Sequence, residues 1–182
     1  MGATLVPKLH KAEWIGDRIV KVDHAGEHGA VCIYTAQIAM ARWRAPSLLG
    51  ELTEFREHER RHRGIFAAEL TRRSVRRCRS YWLCAAGGLT LGLLTGLAGR
   101  RAISATTVAI ETVVLRHLEA QLEELDTVDP EAVLALQTII ADERAHLDQA
   151  TEHQTQDGLI ERLIGVIVYR STEFVIWQGM SL

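Results

Sequence analysis

The sequence predicts an all-α protein, and three observations carry this prediction. Only three prolines occur in 182 residues, so long helices would meet few breakers. Apolar residues return at three- and four-residue spacing through most of the chain, as at Val31, Tyr34 and Ile38. No window shows the sustained two-residue alternation that is typical of a strand.

Breaks in this pattern divide the chain into a short leading segment and one helical domain. We assign residues 1–17 to an N-terminal segment and residues 18–182 to the domain. Pro46 is expected to end the first helix, and Asp129 followed by Pro130 predicts an N-cap with a first-turn proline. The predicted helices cover 19–43, 48–73, 102–125, 130–156 and 159–177.

Composition excludes several classes of protein. A hydrophobic content of 47% excludes a disordered chain, and the length suits one domain with a core. The net charge of −2 argues against a nucleic-acid partner. Cys32, Cys78 and Cys84 are too few and too irregularly spaced for a disulfide scaffold or a zinc module.

Residues 81–99 form a stretch without a charge that contains five glycines. Its nineteen residues approach the roughly 20 that span a bilayer, and each glycine weakens a soluble helix by about 1 kcal/mol relative to alanine. Five arginines between residues 72 and 79 precede it and would meet anionic headgroups. We therefore expect a membrane-interacting helix here, with a core helix of a soluble bundle as the alternative. The residues expected to contact the membrane are Trp82, Leu83, Leu89, Leu91, Leu93, Leu94 and Leu97.

An internal repeat relates the two halves of the chain at an offset of 84 residues. Each half has a lone glutamate and, 32 residues later, a Glu-x-x-His pair. The midpoints between them, near residues 43 and 127, fall beside the predicted breaks, so each half can fold as an antiparallel hairpin. The six residues are Glu27, Glu59 and His62 in the first half, and Glu111, Glu143 and His146 in the second.

Two such hairpins facing each other would gather these four carboxylates and two imidazoles at mid-height in a four-helix bundle. Four carboxylates in a dry core would repel each other, so the cluster requires cations. Oxygen-rich ligation with one imidazole per metal suits iron or manganese better than zinc. This ligand pattern is that of ferritin-like di-iron carboxylate bundles. The alternative is six ordinary exposed helix charges.

The bundle also constrains the residues around it. Both hairpins must lie on one side of a membrane, so residues 81–99 are expected to lie in or dip into one leaflet. Asp142 is predicted to accept a hydrogen bond from a ligand histidine across the bundle, with a plain surface position as the alternative. For four residues near the lone glutamates, the sequence leaves two roles open: support of the metal ligands, or ordinary packing and surface positions. They are His24, His28, Tyr34 and His117.

Several motifs resemble one known family. They are V-D-H-A-G-E-H-G-A at 22–30, E-R-R-H at 59–62, T-V-A-I-E at 107–111 and D-E-R-A-H at 142–146. Together they resemble the demethoxyubiquinone hydroxylase family of ubiquinone biosynthesis, over about residues 18–177. The run L-G-L-L-T-G-L-A-G at 91–99 is similar to the membrane-binding stretch of that family.

The resemblance implies a ferritin-like four-helix bundle with additional membrane-associated helices, acting as a di-iron monooxygenase. Such an enzyme would hydroxylate the ring of a demethoxy-ubiquinol, a polyprenyl benzoquinol, with O2 and electrons from an external donor. No catalytic residue is implied beyond the metal ligands. By position, the implied roles are terminal carboxylates at Glu27 and Glu111, bridging carboxylates at Glu59 and Glu143, and one histidine per iron at His62 and His146.

The same resemblance implies where the protein works. The short N-terminus without a transit peptide suggests a bacterial member, peripheral on the cytoplasmic face of the inner membrane. Its partners would be the polyprenyl quinol and the membrane surface, and a homo-oligomer or a ubiquinone-biosynthesis complex is compatible with the sequence. Two rival functions remain: a ferritin- or rubrerythrin-like iron-handling or peroxide-reducing protein, and a membrane-associated helical scaffold.

Overall fold

The computed structural model describes residues 14–153 and 158–181, which form six α-helices. They are α1 (Ile15–Arg44), α2 (Leu49–Arg72), α3 (Tyr81–Ala98), α4 (Arg100–Leu125), α5 (Pro130–Glu152) and α6 (Leu159–Ser181). Neither described range contains a strand, so the predicted all-α class is confirmed. Most of the predicted N-terminal segment, and the predicted end of the fifth helix at residue 156, lie outside the described residues.

The helix boundaries agree with the predicted breaks to within a few residues. The break at Pro46 is a single turn of 3-10 helix that leads from α1 into α2. The predicted cap of α5 is confirmed, because Asp129 Oδ1 accepts a hydrogen bond from the Ala132 amide at 3.2 Å and Pro130 occupies the first turn. Helix α1 begins four residues before its predicted start, since Ile15 packs against the core.

Helices α1, α2, α4 and α5 form a four-helix bundle with an apolar cluster towards each end. One cluster contains residues of all four helices, among them Val20, Phe66, Leu118 and Leu136. The other contains Tyr34, Leu52, Phe55 and Ile103. On α1, α2 and α4 the predicted ligands lie between these clusters along the chain, so they belong to the middle of the bundle.

Helix α3 lies directly against α1 because its glycines allow the two backbones to approach. A Cβ atom at Gly88 or Gly92 would overlap the carbonyl oxygens of Gly29 or Ile33. Gly96 packs in the same way against α1, one turn further along. The glycines that weaken α3 as an isolated helix therefore stabilise it by close packing, and α3 stays attached to the bundle.

Helix α6 covers the neighbouring part of the bundle. Its residue Val168 is buried in a cluster with Ile33 of α1 and Ala109 of α4, and half-buried Leu91 of α3 packs against the same cluster. Near its end, Gly179 contacts Val22 of α1. Helices α3 and α6 thus flank one face of the bundle.

One of the five arginines between residues 72 and 79 departs from its expected role. Arg73 is nearly buried and forms ion pairs with Asp17 at 3.1 Å, Glu69 at 3.2 Å and Asp129 at 2.6 Å. These pairs join the start of α1, the end of α2 and the cap of α5. The expectation that all five arginines meet headgroups is wrong for Arg73, because its guanidinium is enclosed by three carboxylates from within the protein.

Candidate metal centre

The structure brings all six predicted ligand residues together in the middle of the bundle. Each is at most 7% exposed, so the alternative of ordinary exposed helix charges is wrong. All four bundle helices contribute: Glu27 from α1, Glu59 and His62 from α2, Glu111 from α4, and Glu143 and His146 from α5.

The six side chains form two overlapping groups that share two carboxylates. One group is Glu27, Glu59, His62 and Glu143, and the other is Glu59, Glu111, Glu143 and His146. Within each group, one ligand atom per residue lies within 4.8 Å of the others. The shared residues, Glu59 and Glu143, occupy the positions that bridging carboxylates would take between two ions.

Without a cation, the buried carboxylates lie too close together for all of them to be ionised. Burial, followed by repulsion from Glu143, raises the pKa of both Glu59 and Glu111 well above the usual range. Burial acts in the same direction on Glu143, but contacts with the two histidines outweigh it and hold the pKa of Glu143 below its usual range. Burial lowers the pKa of His62, whereas Glu143 and its neighbours raise it, and the net result is about 9. The centre therefore favours positive charge.

The inward-facing atoms fit a metal ion better than they fit each other. Among the described residues, the Nδ1 atoms of His62 and His146 and one oxygen each of Glu59 and Glu143 are buried without a hydrogen-bond partner. His62 Nδ1 lies 2.8 Å from Glu143 Oε1, and His146 Nδ1 lies 3.4 Å from Glu143 Oε2. Convergent nitrogen and carboxylate lone pairs of this kind form the donor set of a hard or borderline divalent cation.

Asp142 lies where the sequence predicts it. Its Oδ2 is 2.9 Å from His62 Nε2, on the side of the ring that faces away from the carboxylates. Arg61 donates to the same oxygen at 2.7 Å. A carboxylate behind a ligand histidine fixes its tautomer and orientation, so Asp142 can hold Nδ1 of His62 towards the centre.

Two further side chains contact the ligands from outside. The Tyr34 hydroxyl donates to Glu111 Oε1 at 2.8 Å, so this tyrosine supports the site rather than only packing. His58 Nδ1 lies 3.0 Å from His146 Nε2, a contact that sequence reasoning missed. A signal existed, because His58 lies 84 residues before Asp142, the offset that also relates the ligands.

The histidines left open by the sequence lie outside the ligand cluster. His24 and His28 stack on Tyr81 at the start of α3, with ring centroids 5.1 and 4.1 Å apart. His117 lines a cavity, and its Nε2 lies 3.1 Å from Glu173 of α6. None of the three belongs to either group of converging ligands.

A cavity of about 280 Å³ extends from the carboxylates to the surface between α3 and α6. Glu27, Glu59, Glu111 and Glu143 lie at its inner end. Its walls are mainly apolar, with Ile33, Leu83, Leu91, Ile110, Val114 and Ile176 among them. The cavity provides an apolar route to the cluster.

Asp23 is a polar exception in this wall, and sequence reasoning missed it. It lies one helical turn before Glu27 in the D-H-A-G-E motif. Gln121 donates to its Oδ1 at 3.1 Å, while its enclosed Oδ2 has no hydrogen-bond partner among the described residues. Burial raises the pKa of Asp23 to about 8, so at neutral pH this carboxyl favours its protonated form.

The outer faces of α3 and α6 are apolar and uncovered. Six of the seven residues expected to contact a membrane are exposed, while Leu91 is half-buried and lines the cavity instead. Helix α6 adds an apolar face that the sequence analysis did not identify, formed by Leu159, Ile160, Leu163, Val166, Ile167, Phe174 and Trp177. Within the described ranges, α3 is the one helix long and apolar enough to cross a membrane, with a mean hydropathy of 1.4.

A four-helix bundle with four buried glutamates and two Glu-x-x-His histidines is the arrangement of ferritin-like proteins, and its buried residues fit a metal centre. The model of the family described as ubiquinone biosynthesis protein COQ7 matches residues 15–179. The chain belongs to this family.

Relatives of the chain carry names that agree with this membership. A 3-demethoxyubiquinol 3-hydroxylase of Rhodospirillum rubrum is 33% identical over 161 residues, covering 88% of this chain and 76% of the relative. The mitochondrial 5-demethoxyubiquinone hydroxylase of Saccharomyces cerevisiae is 33% identical, covering 90% and 76%. A mitochondrial protein of Dictyostelium discoideum, named NADPH-dependent 3-demethoxyubiquinone 3-hydroxylase, is 30% identical, covering 88% and 75%.

Proposed function

We propose that this protein is a di-iron monooxygenase that hydroxylates the ring of a demethoxy-ubiquinol in ubiquinone biosynthesis. One observation carries the proposal: the cavity joins a buried carboxylate–histidine cluster to an uncovered apolar surface. A substrate with a polar ring and a long polyprenyl tail fits both ends of that route. The names of the relatives supply the particular reaction.

In this proposal, the six buried residues hold the two irons. Glu59 and Glu143, which belong to both ligand groups, would be shared by the two ions, while Glu27 and His62 would complete one site and Glu111 and His146 the other. Two irons held in this site would supply reductive activation of O2, in which one oxygen atom is inserted into a ring C–H bond to give a hydroxyl group and the other leaves as water, with two electrons from a donor and two protons. The names of several relatives specify NADPH, and we propose NADPH or an NADPH-linked reductase as that donor.

The protein itself positions the ring and keeps water away. The apolar cavity walls accept the ring and release ordered water, which favours a substrate that arrives from lipid. Protonated Asp23, held by Gln121, can donate a hydrogen bond from Oδ2 to a ring oxygen of the quinol. Since Asp23 lies one turn from Glu27, a ring bound in this way lies beside the metal ligands.

The outer faces of α3 and α6 would rest on the membrane around the cavity mouth. The polyprenyl tail can then remain among the lipid chains while the ring enters the bundle. Arg77 stacks over Tyr81 and Trp82 at the start of α3, where an arginine and a tryptophan suit the headgroup region. This arrangement is that of a peripheral protein, which we place on the cytoplasmic face of a bacterial inner membrane.

Quinone profiling tests the proposed reaction. A bacterial strain without its own hydroxylase should accumulate a demethoxyquinone, and this chain should restore ubiquinone in membrane lipid extracts. The Glu59→Ala and Glu143→Ala variants should leave the demethoxyquinone in place, whereas the matched control Glu57→Ala, an exposed residue of α2, should restore ubiquinone. An unchanged demethoxyquinone pool with the expressed, folded wild-type chain would contradict the proposal.

Sedimentation separates the rival iron-handling function. The proposed enzyme should be recovered in the membrane fraction. A large soluble shell would favour a ferritin-like role, in which the apolar faces of α3 and α6 serve assembly rather than membrane binding.

A further inference from the structure

The two ligand histidines are supported by different side chains at equivalent positions. His62 of α2 contacts Asp142 of α5, and His146 of α5 contacts His58 of α2. Asp142 and His58 are 84 residues apart, like the ligands themselves. The internal symmetry of the site is therefore broken at this pair of positions, where one half has a carboxylate and the other an imidazole.

The contact between His58 and His146 is defined by more than one distance. The two rings stack with centroids 5.2 Å apart and planes 21° apart. His146 is held from another side by Phe55, whose ring centroid lies 4.2 Å away. The His58 ring is only partly exposed, and its Nε2 lies 3.9 Å from Glu54 Oε1. This environment keeps Nδ1 of His58 directed at His146.

Metal binding would determine which ring donates. His146 Nδ1 faces the carboxylates, so a metal bound at this nitrogen leaves the proton on Nε2. His146 Nε2 then donates, and His58 Nδ1 must accept as a neutral imidazole. On the other side, His62 Nε2 donates to Asp142, a carboxylate that Arg61 also holds at 2.7 Å.

A carboxylate acceptor makes its partner imidazole a stronger metal ligand than a neutral acceptor does. We propose that His58 is a positioning residue for His146 and that the Asp142–His58 difference makes the two metal positions unequal. The position bound by His62 holds its metal more tightly, and the position bound by His146 fills second and empties first. This inference rests on the metal centre of the proposed function and adds an order of binding to it.

Anaerobic Fe(II) titration of the full chain, with metal counted per chain after equilibrium dialysis, tests this order. The wild type should bind two irons with distinguishable affinities. His58→Leu should weaken the second binding step about 10- to 100-fold, the range found when the outer partner of a ligand histidine is lost. His58→Gln keeps a neutral acceptor and should restore wild-type binding, while His58→Asp should bring the two affinities together.

Mössbauer spectra of the same samples with ⁵⁷Fe provide a readout independent of activity. The wild type should show two different quadrupole doublets, which should converge in His58→Asp. A matched control is His153→Leu, because His153 is a part-buried histidine that bonds Glu51 away from the centre. This variant should leave both affinities and both doublets unchanged.

The outcomes separate this inference from the proposed function. Two irons of equal affinity in the wild type, or binding that no His58 substitution changes, would overturn the inference and leave the di-iron centre intact. A wild-type chain that binds no iron would overturn both. Loss of binding in both His58→Gln and His58→Leu, with the fold retained, would also overturn the acceptor role.

Discussion

The middle of the bundle and the outer faces of α3 and α6 reverse the usual distribution of side chains. The middle buries four carboxylates and two imidazoles, whereas the outer faces expose leucines, isoleucines and tryptophans. Buried charges and a large exposed apolar surface are both unfavourable in water. In the proposed function each region is completed by something outside the chain: cations in the middle, and lipid on the surface.

The cavity explains why the two regions occur in one small protein. It places the carboxylates within reach of the apolar surface, which in the proposed function lets a lipid-soluble ring meet the metal centre without leaving the membrane. The close packing of α3 on α1 holds the regions at this distance. Three variants and the removal of metal can break or sharpen this comparison.

Removing apolar side chains from the outer face should have the largest effect. Leu94 and Leu97 are 62% and 54% exposed, and burying one leucine contributes about 1.5–3 kcal/mol. The double variant Leu94→Gln, Leu97→Gln should lower partitioning onto anionic lipid vesicles by about two orders of magnitude or more. A matched control on the bundle, Leu134→Gln with Val128→Gln, should partition like the wild type. Equal losses in both pairs would contradict a specific membrane face.

Removing the metal should make the stability of the fold depend on the ionisation of the buried carboxylates. The pKa of Glu27 is raised by burial to about 7, and the pKa values of Glu59 and Glu111 are raised further. Groups with a raised pKa in the folded state stabilise the fold below their unfolded pKa, and this contribution is lost as pH rises through the folded value.

The metal-free chain should therefore lose several kcal/mol of stability between about pH 5 and pH 8. Glu143 acts in the opposite sense, because its pKa is lowered, but its contribution is already complete at pH 5. The midpoint of thermal unfolding, measured by circular dichroism against pH, tests this. With iron bound, the decline should be smaller, because metal binding favours deprotonated ligands. A metal-free midpoint that rises over this range would contradict the account.

The close packing of α3 on α1, which connects the two regions, depends on glycine. Gly92→Ala should lower the free energy of unfolding by about 1–3 kcal/mol, since its Cβ would overlap the Ile33 carbonyl oxygen. Gly64→Ala is the matched control, because a Cβ there meets no described atom within 4 Å. Gly64→Ala should raise the free energy of unfolding by about 0.5–1 kcal/mol through helix propensity. Urea unfolding measures both, and equal effects would exclude close packing as the role of Gly92.

The smallest expected effect concerns Asp23, in the wall of the cavity that connects the two regions. Asp23→Leu should raise KM for a short-chain quinol about tenfold, the size of one lost hydrogen bond, with a smaller change in kcat. Asp23→Asn can still accept from Gln121 and donate into the cavity, so it should retain a KM near that of the wild type. Identical KM values for Asp23→Leu and the wild type would remove Asp23 from substrate binding.

The sequence predicts the centre well because helix periodicity and hairpin length together determine which residues lie level. A spacing of 32 residues around a break brings each lone glutamate opposite its Glu-x-x-His pair, and no tertiary detail is required. His58 was within reach of the same reasoning, since it shares the 84-residue offset with Asp142.

Other features depend on tertiary packing, which the spacing of residues along the sequence does not reveal. Helix α3 is apolar on all sides, so its sequence does not reveal that Leu91 faces the cavity while Leu94 faces outward. The uncovered face of α6 depends on how that helix docks on α4. In the sequence, Arg73 is one of five neighbouring arginines expected at the surface. Its burial depends on three carboxylates that come from separate helix ends and meet only in the folded protein.

Iron content measures the central claim most directly. After anaerobic reconstitution with Fe(II) and removal of excess metal, the wild-type chain should contain two irons per chain. Glu59→Ala and Glu143→Ala should each contain fewer than one, because each removes a carboxylate shared by both ligand groups. A folded wild-type chain that retains well under two irons, or variants that retain two, would contradict the assignment of this centre.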